Sequence, residues 1–342
     1  YRAPLAVDIG VYGHWGGHYD FTFAKRTIPH NAMLIYDPDE KFSVPGNDGG
    51  QRFIKTMPWT IQQVLDHPEI HNAGRNVATY VGPDADRPLF SHIKGDLATA
   101  YSSHKVKAYE RSFVFTRLDR PATPAMLIVY DHVVSTRPEF RKYFLLNTIA
   151  QPEIRETTIR VEHALPGGKP GELFVTRVLP KADNVEITTA GDGKAMEFFR
   201  EKVEMPPRNR MLSRGWRTMI SPKTPAAEDR FLHVMQIGEP TAPKYPVELF
   251  ESDAWLGVKT AGRIVTFSRS GSSSAEPVEF TVPAGGEHHA LLTDLLPGPY
   301  TILRDGKTLR TVTVTPESGV IELPVESGSS YRIVPRKDGG EA

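Results

Sequence analysis

Between Val7 and Gln51 the chain reads VDIGVYGHWGGHYDFTFAKRTIPHNAMLIYDPDEKFSVPGNDGGQ, gathering metal-ligand, acid and base side chains into one short run. Asp8, His14, His18 and His30 stand among Tyr12, Trp15, Tyr19, Lys25 and Arg26. A carboxylate and a neutral imidazole are ordinary oxygen and nitrogen ligands of zinc. Tyrosines can hand over protons, and an arginine fork suits a planar anion. The chain has no cysteine, so any zinc must be held through nitrogen and oxygen. By residue type, Asp8 and the histidines could hold a metal, Tyr12 and Tyr19 could carry protons, and the nearby cations could meet an anion.

The same residues also fit structural roles. Asp8, between apolar residues and followed by Gly10, ends a strand and can cap its turn. His30 can be a hydrogen-bonded loop histidine, Tyr12 a core residue, Tyr19 and Trp15 loop anchors, and Lys25 with Arg26 a solvated strand end. The run YDPDEKF lacks EF-hand spacing and reads as an exposed acidic turn. GNDGGQR has tight-turn chemistry without the Lys-Ser/Thr ending of a phosphate loop.

Taken in order, LAVDIGVYG, HWGGHYDF, KRTIPHNAMLIYDPDE, NDGGQR, GDLATAYSS, YERSFVF, MLIVYDHVVSTRPEFRKYFLLNT, GELFVTRVLP and FLHVMQIG resemble the C-terminal part of the heparinase II/III-like polysaccharide lyases. The resemblance covers roughly the first seven-tenths of the chain, and several linked motifs in order are more specific than one. It implies β-elimination on a uronic-acid polysaccharide: a base removes the proton beside the uronate carboxylate and an acid protonates the departing glycosidic oxygen. It implies a zinc held by Asp8, His30 and one histidine upstream of Tyr1. Tyr19, in the Gly-rich loop between those ligands, is the lead catalytic residue and Tyr12 the alternative. His18 and Arg26 would meet the carboxylate or a sulfate, and Trp15 a sugar face. Asn147 departs from the histidine that many relatives have there. The resemblance further implies an upstream helical toroid domain forming the other wall of the cleft, a periplasmic or extracellular location, and a possible homodimer.

Those residues need a scaffold, and the pattern that supplies it is period two. SFVFTRL, AMLIVYDHVV, ELFVTRVL, FLHVMQI, RIVTFSR, YTILRD and TLRTVTVT alternate or run apolar over five to eight residues, whereas PWTIQQVLDH is the one good short helix candidate. Twenty-nine prolines and 28 glycines fall between the runs as turn punctuation. The expected fold is all-β: a large two-sheet antiparallel β-sandwich over 1–250, then, after the Pro-rich GEPTAPKYPVE, a small β-sandwich over 251–342 with a hairpin at RDGK.

At 342 residues there is room for two cores. The 41 basic and 41 acidic side chains balance, so no nucleic-acid surface or polybasic membrane patch is indicated, and an anionic substrate must be met by a local cluster. No apolar run approaches the roughly 20 residues of a membrane helix. Tyr1 begins within a strand-like segment, so an upstream portion is expected. Two classes remain open: a lyase β-module that works with that portion, and a noncatalytic carbohydrate-binding or structural β-protein of the same fold.

Overall fold

The computed structural model describes residues 3–10, 17–54, 60–191, 193–204 and 215–336. The period-two runs become strands, and these assemble into four principal sheets. The first has the order β1 (Met33–Tyr36), β6 (Arg141–Thr148), β13 (Trp216–Ser221), β10 (Glu186–Ala190). The second has eight strands: β2 (Arg75–Gly82), β3 (Phe90–Asp96), β4 (Val106–Arg117), β5 (Ala125–Ser135), β14 (Glu228–Gly238), β9 (Gly171–Leu179), β8 (Thr158–His163) and β7 (Glu153–Arg155). The third orders β15 (Glu248–Glu251), β16 (Trp255–Thr260), β17 (Arg263–Ser268), β19 (His288–Leu292) and β22 (Ile321–Val325). The fourth orders β18 (Val278–Thr281), β23 (Ser330–Pro335), β20 (Gly298–Arg304) and β21 (Lys307–Val314). All the pairings are antiparallel except β17 with β19. A small hairpin, β11 (Glu197–Phe198) with β12 (Glu201–Lys202), stands apart.

Side-chain parity stacks these sheets into layers. On β5, Val129 and Val133 enter one core with Met33, Phe144 and Ile220 of the first sheet. Met126, Ile128 and Tyr130 of the same strand enter another core with Leu256, Val265 and Phe267 of the third sheet. Successive residues of a strand face opposite ways, so a strand covered on both faces must be apolar throughout. That is why AMLIVY is a continuous apolar run, and why Asp131 and His132, which follow it and are buried too, are met by Arg111 and by Glu110 and Glu228. The third sheet in turn buries Trp255, Ile264 and Leu292 against Phe280, Tyr300, Ile302 and Ile333 of the fourth.

The protein is therefore all-β and sandwich-like, with almost no helix among the described residues. The helix candidate forms α1 (Ile61–Asp66), opened by a capping box in which Thr60 accepts from Gln63 N and Gln63 accepts from Thr60 N, followed by the single turn α2 (Pro68–His71). The RDGK signal becomes the β20–β21 hairpin, with Arg304 opposite Lys307.

Between the second and third sheets lies a polar lock. Lys94 Nζ, on β3, meets Asp294 Oδ1 at 2.6 Å and the carbonyl of Gly271, while Asp294 Oδ2 accepts from Ser268 N at 3.0 Å. His92, two residues before Lys94 on the same face, is 2% exposed, and neither ring nitrogen has a hydrogen-bond partner among the described residues. Burial lowers its pKa to about 4, with Asp294 opposing and Lys94 adding to the effect. His233, stacked on Phe144 at 4.0 Å, is lowered to about 3 by burial, then by Arg177 and Arg111.

Both histidines have depressed folded-state pKa values, so the unfolded chain takes up protons that the folded chain refuses once pH drops below the ordinary 6.5. Stability is full above that value and is lost as pH falls toward 4, at about 1.4 kcal/mol per pH unit for each histidine. Urea unfolding at a series of pH values should show this slope, and His92→Phe should reduce it by about that amount per pH unit. An unchanged slope in the variant would contradict the assignment.

Candidate functional site

The outer face of the first sheet is roofed by the N-terminal segment that carries the candidate residues. Ile9, Tyr19, Phe23, Ala24 and Ile28 pack there on Leu34, Leu145 and Met219. The segment enters beside the end of β6, where Ala6 bridges Thr148 and Val7 N donates to Asn147 O at 3.0 Å. Ile9 N donates to Pro29 O at 3.0 Å, closing residues 7–9 onto the stretch before His30. Gly10 permits this approach: a Cβ there would lie 2.9 Å from the Pro29 side chain and 3.0 Å from Ala24 Cα.

Asp8 and His30 consequently meet. Asp8 Oδ2 lies 3.0 Å from His30 Nδ1, with the side chains 56% and 32% exposed. The contact is that of an ion pair or hydrogen bond, and its oxygen-nitrogen donor set is of a kind zinc also accepts. No third histidine or carboxylate completes a metal-binding group among the described residues.

The backbone around His30 is fixed from several directions. Asn147 Nδ2 donates to His30 O at 2.9 Å, Asn147 N donates to Asn31 Oδ1 at 2.7 Å, and Asn31 Nδ2 donates to Val7 O at 3.2 Å. Arg111 Nη1 donates to Asn31 O at 3.0 Å while its Nε and Nη2 grip Asp131 at 2.5 and 3.1 Å. From downstream in the sequence, Asp48 holds residues 26–28, which lead into this stretch. Its carboxylate accepts from Arg26 Nη2 at 2.6 Å, Thr27 N at 2.9 Å, Ile28 N at 3.1 Å and Gly50 N at 3.2 Å, and the residue is 1% exposed. Gly50 lies so close that a Cβ would fall 2.3 Å from the Thr27 side chain.

Arg26, which the sequence offers as a fork for a substrate anion, thus meets an internal carboxylate and is 2% exposed, its guanidinium 4.1 Å from the Phe42 ring centroid. Tyr19 is buried in the roof, its ring 5.7 Å from that of Phe23, at the entry to a π-helical turn over Asp20–Ala24. His18, just before it, is exposed, and its carbonyl accepts from Thr22 Oγ1 at 2.8 Å. Tyr12, His14 and Trp15 lie outside the described residues.

The acidic run is not the exposed turn its composition suggests. Asp37 is buried, its Oδ1 accepting from Asp39 N at 3.0 Å, and Glu40 pairs with fully buried Lys105. Lys105 also donates to Gly49 O and Gly50 O, at 3.1 and 2.8 Å, so this turn buttresses the Asp48 loop. Burial pushes the Glu40 carboxyl up and the Lys105 ammonium down, each against its partner's attraction. The buttressing residues that sequence reading did not single out are Asn31, Asp48, Arg111 and Asp131. Their one available signal is that they sit inside the motifs quoted above.

Residues 249–335 match the family described as the Heparinase II C-terminal domain. Among solved structures the chain is similar to heparan sulfate lyase HepC from Pedobacter heparinus, with 11% identity and a TM-score of 0.45 over 78% of this chain and 34% of that one. It is similar also to Heparinase III, with 11% identity and a TM-score of 0.44 over 77% of this chain and 33% of that one. The chain spans about a third of the length of these structures. No curated protein sequence matches it significantly.

If Asp48 organises the site, Asp48→Ala leaves the Arg26 charge buried and unpaired and should cost about 3–5 kcal/mol in urea unfolding. Gly50→Ala should cost about 1–3 kcal/mol through overpacking on Thr27. Exposed Asp39→Ala should stay within about 0.5 kcal/mol. A mild Asp48→Ala would show that the loop is held by something else.

Proposed function

We propose that this chain is the β-sheet module of a polysaccharide lyase that cleaves a uronic-acid polymer by β-elimination together with an upstream helical toroid domain. The observation that carries the reading is the meeting of Asp8 with His30 on an accessible face; exposed His18 and the π-turn that begins after Tyr19 lie in the same N-terminal segment. Single π-helical turns are rare and frequently mark functional sites. The family match over residues 249–335 supports the same lineage.

In this reading the proton beside the uronate carboxylate passes to a base, the C–O bond to the leaving sugar breaks as the C=C bond forms, and the departing oxygen takes a proton from a tyrosine. Tyr19 is the lead residue for that delivery and Tyr12 its alternative. The carboxylate must be neutralised as charge develops, a task for cationic or hydrogen-bonding groups already in place. His18 is the exposed group of this segment suited to it. Asp8 and His30 would hold zinc with a third ligand from outside the described residues, and the bound ion would add positive charge beside the loop.

Ile61 and Leu65, one turn apart on α1, are 80% and 65% exposed, an apolar stripe suited to packing against the toroid domain. The proposed location is periplasmic or extracellular, where such a polymer is met. No helix among the described residues is long and apolar enough to cross a membrane. A second reading, a noncatalytic carbohydrate-binding protein, draws on the burial of Tyr19 and the internal pairing of Arg26.

The complete protein should generate the ultraviolet absorbance of an unsaturated uronate from at least one uronic-acid polymer, whereas the binding-module reading gives none. Tyr19→Phe should remain folded and lose roughly 10²–10⁴ in turnover, while Tyr12→Phe retains it. The reverse pattern would move the acid to Tyr12. His30→Ala should lower zinc content, and equal zinc in variant and parent would sink the metal assignment.

A further inference from the structure

A cleft of about 320 Å³ opens on the outer face of the first sheet, away from the Asp8–His30 pair. Its floor comes from alternate residues of two strands, Arg141 and Tyr143 on β6 and Arg217 and Met219 on β13, and exposed Thr188 on β10 stands at its rim. The β11–β12 hairpin forms a wall through Phe198 and Phe199. That wall is held in place. Phe199 stacks on Tyr36 at 3.8 Å and meets Tyr143 edge-on at 5.4 Å, and Glu201 accepts from Asn47 N at 3.0 Å. Phe199 also has φ of 49°, a left-handed conformation that a bulky aromatic adopts only where its surroundings impose it.

The cleft is lined by two arginines and two glutamates, yet one of the cations makes no ion pair among the described residues. Arg141 pairs with Glu186 at 2.7 Å and Glu197 with Lys202 at 3.1 Å. Arg217 is 2% exposed, and its terminal nitrogens donate only to the carbonyls of Ala195 and Glu197. It makes no ion pair among the described residues, although Glu186 and Glu197 line the same cleft, and the Nε atoms of both Arg217 and Arg141 lack a partner there. Burial lowers the Arg217 pKa to about 10, a measure of how costly its charge is there. A buried guanidinium normally has a carboxylate or phosphate-like partner.

We infer that this cleft is a binding site for one anionic sugar unit, its carboxylate or sulfate drawn by Arg217 and Arg141 and its ring face set against Tyr143 and Phe199. The inference rests on the polysaccharide reading above for its ligand class. Geometry links the two places: Asn147, which holds the His30 carbonyl, and Tyr143 lie on the same face of β6 four residues apart, about 14 Å at strand rise. Between them Leu145 is buried under the N-terminal roof, so a polymer that reaches both places crosses over that roof and not along β6 itself.

The test is calorimetric titration of the complete protein with methyl glucuronoside, glucosamine 6-sulfate and neutral methyl glucoside. At least one anionic probe should bind and the neutral one should not, and which anion binds separates carboxylate from sulfate recognition. Arg217→Gln should weaken binding about tenfold or more, the loss of a charge-assisted contact. Should that buried substitution prevent folding, Thr188→Trp at the exposed rim fills the cleft without entering the core and should abolish binding with the melting temperature kept. A protein that binds the probe yet makes no unsaturated product keeps this inference while losing the lyase reading. Failure of both anions to bind, equal binding of the neutral sugar, or full binding in Thr188→Trp would overturn it.

Discussion

One buried carboxylate organises the face on which the chemistry is placed. Asp48 takes hydrogen bonds from a guanidinium and three backbone amides, inside a turn whose Gly50 presses against Thr27. A charge so far from water is tolerable only because its lone pairs are occupied and its partner is itself a cation. The arrangement fixes the direction of residues 26–28, and Pro29 and His30 follow from it. Asn31, Asn147 and Arg111 then carry the same rigidity down to β6 and β4. The Asp8–His30 contact is the outcome of two segments being anchored independently to one sheet.

The layered stack explains why such anchoring is available. The second sheet is covered on both faces, by the first sheet on one side and the third on the other. The first sheet is covered by another sheet on its inner face alone, and its outer face takes the N-terminal roof and the β11–β12 hairpin. Loops and short segments that cover a rigid sheet are where binding groups are commonly displayed. The Lys94–Asp294 lock joins the second and third sheets more specifically than apolar contact does, since a misaligned interface would strand both charges in the core.

The sheet character of the chain was legible because alternation records which face of a strand is buried, and AMLIVYDHVV and FLHVMQI kept that record even where both faces are covered. The capping box at Thr60 and the hairpin at Asp305–Gly306 were readable for a similar reason, as both are local. Asp48 with Arg26, 22 residues apart, and Arg111 with Asp131, on neighbouring strands, were not. Pairing across strands and loss of water leave no mark on residue type, so Arg26 and Asp37 looked like surface charges. The Asp8–His30 meeting was accessible only as an implication of family resemblance, and the Arg217 cleft, built from strands β6, β10 and β13 far apart in sequence, gave no sequence signal at all.

The account places function on the outer face of the first sheet, spanning the Asp8–His30 pair and the Arg217 cleft. A crystal structure of the complete protein with an uncleaved uronic-acid oligosaccharide tests that placement directly. The oligosaccharide should cross the N-terminal roof, with one anionic unit in the Arg217 cleft and another beside His30. An oligosaccharide bound instead on the third or fourth sheet, with the outer face of the first sheet empty, would contradict it.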